Sequence, residues 1–261
     1  MSTAPIRFDR LQAGLPASVR AALPAASVVW HGQRLPHGAA TDPLARLRIV
    51  AGPTEVNASR PVRTLPTAAT LTLTAQPAGT DVVLRASGMS WSYRVLPGDD
   101  VTAQRDGLLT ALDGALIDAS FVASGADAIA ITATSLGDLY GLGASGGTIV
   151  ATASEAASVR VSDVEFLIEL DVSRSDPTPR GGASAALSRW QTYARNREGL
   201  ALLGSYGLGL PRGLPAVTPI DGLAGPTWQS RSRISFYVST LSIHAESFIP
   251  IEAAEVTLNA P

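Results

Sequence analysis

Apolar and polar positions alternate most cleanly between Val161 and Asp171. Val164, Phe166, Ile168 and Leu170 fall on one face of an extended chain, and Asp163, Glu165, Glu169 and Asp171 fall on the other. That period of two predicts a strand with one buried face and one acidic face. Met89, Trp91, Tyr93 and Val95 alternate in the same way with Ser90, Ser92 and Arg94, which predicts a half-buried strand with an aromatic inner face. Further β-prone runs lie at residues 27–30, 44–50, 70–74, 81–86, 128–134, 148–153, 231–242 and 248–258. Pro250 cannot donate to a ladder, so the last of these is expected at an edge or a bulge.

Helical spacing appears in four places. Leu11, Leu15, Val19 and Leu23 predict an amphipathic helix over 8–23, with Pro16 able to start a turn after a break. Leu187, Trp190 and Ala194 predict a helix over 183–194, and a shorter one follows at 198–203. The fourth begins at Asp99 or Asp100, either of which can cap it, and presents Val101, Leu108, Leu112 and Leu116 on one side.

Composition changes the picture in the middle of the chain. From about Leu65 to Ser154 charges thin out while Thr, Ala and Gly rise, the texture of an inserted module. The resulting expectation is an α+β protein: a core of residues 1–64 and 155–261, with a mixed or antiparallel sheet flanked by helices, interrupted by a β-rich module of residues 65–154 with one helix. A length of 261 residues accommodates either one elaborated domain or a core with a satellite.

The formal net charge of −2 provides no basic field to draw the chain onto nucleic acid or an acidic membrane, which disfavours a sequence-reading DNA binder. The absence of Cys excludes a disulfide framework and thiolate chemistry, and it fits folding in a reducing compartment. No apolar run reads as a bilayer-spanning helix or a signal peptide.

The run from Gly141 to Gly147 satisfies two catalytic patterns. Gly141, Gly143 and Gly146 have dinucleotide-binding spacing, and Gly143, Ser145 and Gly147 have that of a nucleophile elbow. Both patterns need a helix to follow, and the β-branched Thr148-Ile-Val follows instead, so a hairpin or loop is expected and no catalytic residue is assigned. His31, His37 and His244 have neither the close spacing of a helical metal site nor a carboxylate at a recognised offset. Neither metal nor cofactor is therefore expected. Asn57-Ala-Ser59 matches a glycosylation acceptor, which matters only in a secretory protein. The four carboxylates Asp163, Glu165, Glu169 and Asp171 allow two readings. One is a solvated outer face. The other, in a ring, is the lining of a channel that repels DNA phosphates and lets a duplex pass.

Three stretches carry a resemblance. Ala185-Ala-Leu-Ser-Arg-Trp-Gln through Glu198-Gly-Leu-Ala-Leu-Leu-Gly, Thr227-Trp-Gln-Ser-Arg-Ser-Arg-Ile-Ser-Phe and Ile249-Pro-Ile-Glu resemble the phage neck and tail terminator family. Val28-Val-Trp-His-Gly-Gln33, Pro36 and Leu44-Ala-Arg-Leu-Arg-Ile49 look like that family's first two strands. Residues 71–154 look like a small domain of other tail proteins, with Trp91-Ser-Tyr-Arg-Val-Leu-Pro-Gly-Asp-Asp100 as its strand-to-helix signature.

The resemblance implies a non-enzymatic virion subunit, assembled in the host cytoplasm, that closes into a homo-oligomeric ring, a hexamer, at the neck. Such a ring terminates the tail tube and joins it to the head connector. Its implied partners are tail tube and sheath proteins, head connector proteins, and genomic DNA passing without sequence recognition; no membrane is involved. Phe248, Ile249, Ile251, Val256 and Leu258 are the expected subunit-interface residues. The alternative is a decoration or adhesion module binding a host surface or virion partner, which exposed aromatics on a shallow β face would favour; Trp91 and Tyr93 fit contact with a neighbouring subunit or tail component and plain core packing equally.

Overall fold

The computed structural model describes residues 8–33, 43–59, 61–174, 182–224 and 227–247, without the side chains of 222–224 and 227–228. The protein is mixed α+β, with sheets dominated by antiparallel pairs and flanked by helices. In chain order the elements are α1 (Phe8–Ala22), β1 (Ser27–Trp30), β2 (Leu44–Ser59), β3 (Val62–Leu73), β4 (Asp81–Ala86), β5 (Met89–Arg94) and α2 (Val101–Leu112). They continue with β6 (Ala119–Ala123), β7 (Ala128–Ala133), β8 (Gly143–Ser145), β9 (Gly147–Arg174), α3 (Gly182–Arg195) and α4 (Arg197–Ser205). The last are β10 (Leu208–Gly209), β11 (Thr218–Pro219), β12 (Gly222–Ala224) and β13 (Thr227–Ser247).

The strand expected at 161–171 and the one expected at 148–153 are a single strand of 28 residues, β9, on the order of 90 Å long at the usual rise. The residues between them, 154–160, do not interrupt the ladder, because the backbone there remains paired with β3 and, from Ala157 onward, with β13. Strands β2 and β3 lie end to end along one edge of β9, as the registers Ser59↔Val161 and Val62↔Ser158 show. The Pro61 carbonyl bridges the join by accepting from Val159 N–H at 2.9 Å. On the other edge β13 pairs without a register shift from Ser230↔Arg174 to Ser247↔Ala157. The edge strand β1 runs parallel to β2, and β7 then β6 extend the sheet from β3.

Two large apolar cores lie along this sheet, with a small cluster of Leu65, Ala157 and Val159 as a third. The first collects Leu11, Leu15 and Val19 of α1, Ala183, Leu187 and Trp190 of α3, and the inward residues Val164, Phe166, Ile168, Leu170, Ile234, Phe236 and Val238. Trp190 stacks on Phe236 with centroids 4.9 Å apart, and its indole donates to Ser18 Oγ at 3.3 Å. Pro16 lies inside α1, so Gln12, four residues earlier, receives no intrahelical bond from it; the Gln12 carbonyl instead accepts from Trp30 Nε1 at 3.3 Å. Helix and edge strand are joined at the point where the proline would leave a polar group unmatched.

The second core spans Ala69 to Ile149 and contains Val82, Leu84, Met89, Trp91, Leu108, Leu112, Ile129 and Ile131. Asp100 caps α2 by accepting from Ala103 N–H at 2.8 Å. The cores meet where Arg10 of α1, 3% exposed, donates to the Ser87 carbonyl at 3.0 Å. Ser87 has φ 51° and sits in the turn between β4 and β5; its hydroxyl contacts the carbonyls of Gly137 and Asp138. Strand β9 takes part in both, with Ile149 packed against the second core and Val164, Phe166, Ile168 and Leu170 in the first, so continuous backbone rather than a linker joins them.

Tyr93 and Gly107 show how closely α2 lies on β5. A Cβ on Gly107 would overlap the Tyr93 ring, and the Tyr93 hydroxyl donates to Asp99 Oδ2 at 2.7 Å. The Asp99 hydrogen bond, then burial, then the carboxylate charge hold the phenol above its ordinary value.

Gly107→Ala is expected to cost about 1–3 kcal/mol in chemical denaturation, because neither the helix nor the ring can retreat freely. Ultraviolet titration should show Tyr93, identified by difference against Tyr93→Phe, ionising above the ordinary value of a tyrosine, and Asp99→Asn should bring it back down. Since the folded value is raised, the stability from this contact is fully present below about pH 10 and lost as pH climbs through the raised value.

Candidate functional site

The outward side of β9 is the place where charge is concentrated. Its strand period puts Glu165, Leu167, Glu169 and Asp171 opposite the inward Phe166, Ile168 and Leu170. Register then decides what each outward carboxylate meets. Asp171 lies between Arg46 of β2 and Arg233 of β13, and Glu169 lies between Arg48 and Ser235.

The guanidinium of Arg233 bridges both acids, with Nη1 3.2 Å from Glu169 Oε2 and Nη2 3.3 Å from Asp171 Oδ2. Each acid has a second cation: Arg48 Nη2 is 3.1 Å from Glu169 Oε1, and Arg231 Nη2 is 2.9 Å from Asp171 Oδ2. Further along the strand, Arg212 from the loop after β10 lies 3.1 Å from Glu165 Oε2 and stacks 3.9 Å over the Tyr237 ring. Asp163 alone among the four predicted acids is exposed with no ionic partner among the described residues.

This arrangement corrects the expectation of an acidic face. Glu169 and Asp171 are only 9% and 8% exposed, and carboxylates that far from water need cations and donors to remain charged. Neighbouring strands supply them. Around these two carboxylates stand Arg46, Arg48, Arg231 and Arg233, four guanidinium groups against two acids, so the patch carries an excess of two positive charges. With His31 at the end of β1 they enclose a cleft of about 160 Å³. The signal was present in the sequence: Arg46 and Arg48, like Arg231 and Arg233, alternate with apolar or small residues at the strand period. Only the pairing of β2 and β13 on opposite edges of β9 brings the four together.

Other predicted features fall elsewhere. The Gly-rich run forms β8, a turn at Gly146 with φ 84°, and the start of β9. A strand therefore follows Ser145, and neither the pyrophosphate nor the nucleophile-elbow geometry is built. A Cβ on Gly147 would sit 2.6 Å from the Thr72 carbonyl, so that glycine serves the approach of β9 to β3. His244 contacts Glu246 Oε1 at 2.9 Å, beside a different cleft of about 210 Å³ that includes Arg10 and Ser87. His37 and the predicted interface residues Phe248, Ile249, Ile251, Val256 and Leu258 lie outside the described residues. Among the described residues no group of three or more His, Cys, Asp or Glu is placed to hold a metal ion, and no helix is long and apolar enough to cross a membrane.

Arg233→Met should lower stability by about 1–2 kcal/mol, less than for a fully buried ion pair because the arginine side chain is 38% exposed. Combining it with Glu169→Gln and Asp171→Asn should recover part of that loss, with a coupling energy of about 0.5 kcal/mol or more in denaturant titrations of the full mutant cycle. Neither a protein-family model nor a curated protein matches the chain.

Proposed function

We propose that this chain is a structural subunit that works by self-assembly, forming a ring, a hexamer by the family resemblance, at the neck of a phage-like tail. In that reading the ring ends the tail tube, meets the head connector and lets DNA through. The observation that carries the proposal is the long sheet: β9 with the end-to-end pair β2 and β3 on one edge and β13 on the other makes a stiff element far longer than a subunit of this size needs for its own core. Such an element suits a subunit whose task is to hold its neighbours at fixed spacing.

Surface composition supports the same reading. Val62, Val122 and Val150 are 62%, 59% and 59% exposed on β3, β6 and β9, apolar positions that contact with another subunit would cover. The helix, short helix and first long strand at α3, α4 and β13 follow the order in the family resemblance, whose second strand lies outside the described residues.

The geometry bears on the other readings. An adhesion module was to be favoured by exposed aromatics, but Trp91 is 2% exposed and packs against Phe121, while Tyr93 is spent on α2 and Asp99. The DNA-channel role of Asp163, Glu165, Glu169 and Asp171 keeps only Asp163 as an uncompensated charge. A channel lined by this face would meet DNA with a mixed and locally cationic surface rather than a repelling one.

Negative-stain electron microscopy and light scattering of the purified protein should show closed rings with a central hole. Monomers alone at concentrations well above those reached in assembly would overturn the proposal.

A further inference from the structure

The cleft over β2, β9 and β13 has more cation than its two acids use. Arg233 spends both Nη atoms on Glu169 and Asp171, whereas Arg46 is exposed and has no ionic or hydrogen-bond partner among the described residues. Arg231 uses one Nη on Asp171, while its backbone N–H donates to Asp221 Oδ1 at 2.8 Å. Arg233 Nε is buried with no acceptor. Register places Arg46 and Arg233 on opposite sides of Asp171, with Arg231 one step further along β13, opposite Ser173. Two strand spacings separate β2 from β13, about 10 Å, a width that two facing arginine side chains can close around a small tetrahedral anion.

We infer that this cleft binds a phosphate oxyanion, held chiefly by the guanidinium groups of Arg46 and Arg231 with His31 at its margin. Three observations carry it. The cleft is lined by four guanidinium groups and two carboxylates, and still has cation in excess when Asp221 behind Arg231 is counted, so a bound anion relieves repulsion among guanidinium groups held close by the strand ladder. The guanidinium fork matches tetrahedral oxyanions in bidentate fashion, which a lysine cluster would not. The two acids do not fill the cleft; they fix Arg233 and Arg231 in place, so little side-chain freedom is lost on binding. Every group sits within one subunit, so the site stands whether or not the chain forms a ring.

One chemistry here has two sources, a free phosphate ion or a backbone phosphate of DNA. Titration calorimetry of the full chain with sodium phosphate, against sodium chloride at matched ionic strength, should show saturable binding. Arg46→Ala and Arg231→Ala should each weaken it by about tenfold or more, the loss expected for a charge-assisted hydrogen bond, and Arg46→Lys should recover only part. Arg63→Ala, on exposed β3, should bind as wild type, and circular dichroism should confirm that all variants fold. A short DNA duplex that binds wild type and is weakened in parallel by Arg46→Ala assigns the site to backbone phosphate; phosphate binding without duplex binding assigns it to the free ion. No phosphate binding beyond the chloride control, or equal affinity in Arg46→Ala, overturns the inference.

Discussion

The backbone ladder of β9 is the constraint on which the other contacts depend. Buried peptide groups must be matched, and a strand flanked on both edges matches nearly all of its own. Between Ala157 and Arg174 β9 is paired on one side by β13 and on the other mainly by β2. That pairing sets register, and register sets which side chains meet. A slip of one residue would turn Phe166 and Ile168 outward and bring Glu169 and Asp171 into the core. The apolar contacts with α1 and α3 and the ionic contacts with the arginines therefore enforce the same alignment from opposite faces.

The ionic face follows from that alignment. Removing two carboxylates from water costs several kcal/mol each unless cations and donors replace the water. β2 and β13 each present arginines at alternate positions, and their pairing with β9 delivers those arginines to the acids from both edges. The network adds less to stability than its number of contacts implies, since half-exposed arginines are screened. Its larger effect is to hold several guanidinium groups in a fixed array on one open surface.

Continuity of strands also explains how the central module is attached. Here β9 runs through both cores, β3 pairs along it beside the second, and Arg10 ties α1 to the β4–β5 turn. Gly88, with φ 76°, lets that turn approach Leu241, where a Cβ would come within 2.9 Å. The module is thus set against the rest of the protein by backbone pairing and close packing together.

Local pattern was enough to reveal the α+β class, the amphipathic helices α1 and α3, a cap for α2 at Asp99 or Asp100 and the alternation of the 161–171 region, because each is set by residues within a few positions of one another. It failed where the deciding neighbour is far away in the chain. The residues Ser154, Glu155 and Ala156 carry no strong strand signal, and only pairing with β3 makes them part of β9. The acids looked mutually repulsive because the partners of Glu169 and Asp171, namely Arg48, Arg231 and Arg233, lie between about 60 and 120 residues away and reach them through β-pairing. Periodicity tells which way a side chain points. What it points toward depends on strand order and register, and those are settled by the summed matching of backbone groups and the exclusion of water from both cores.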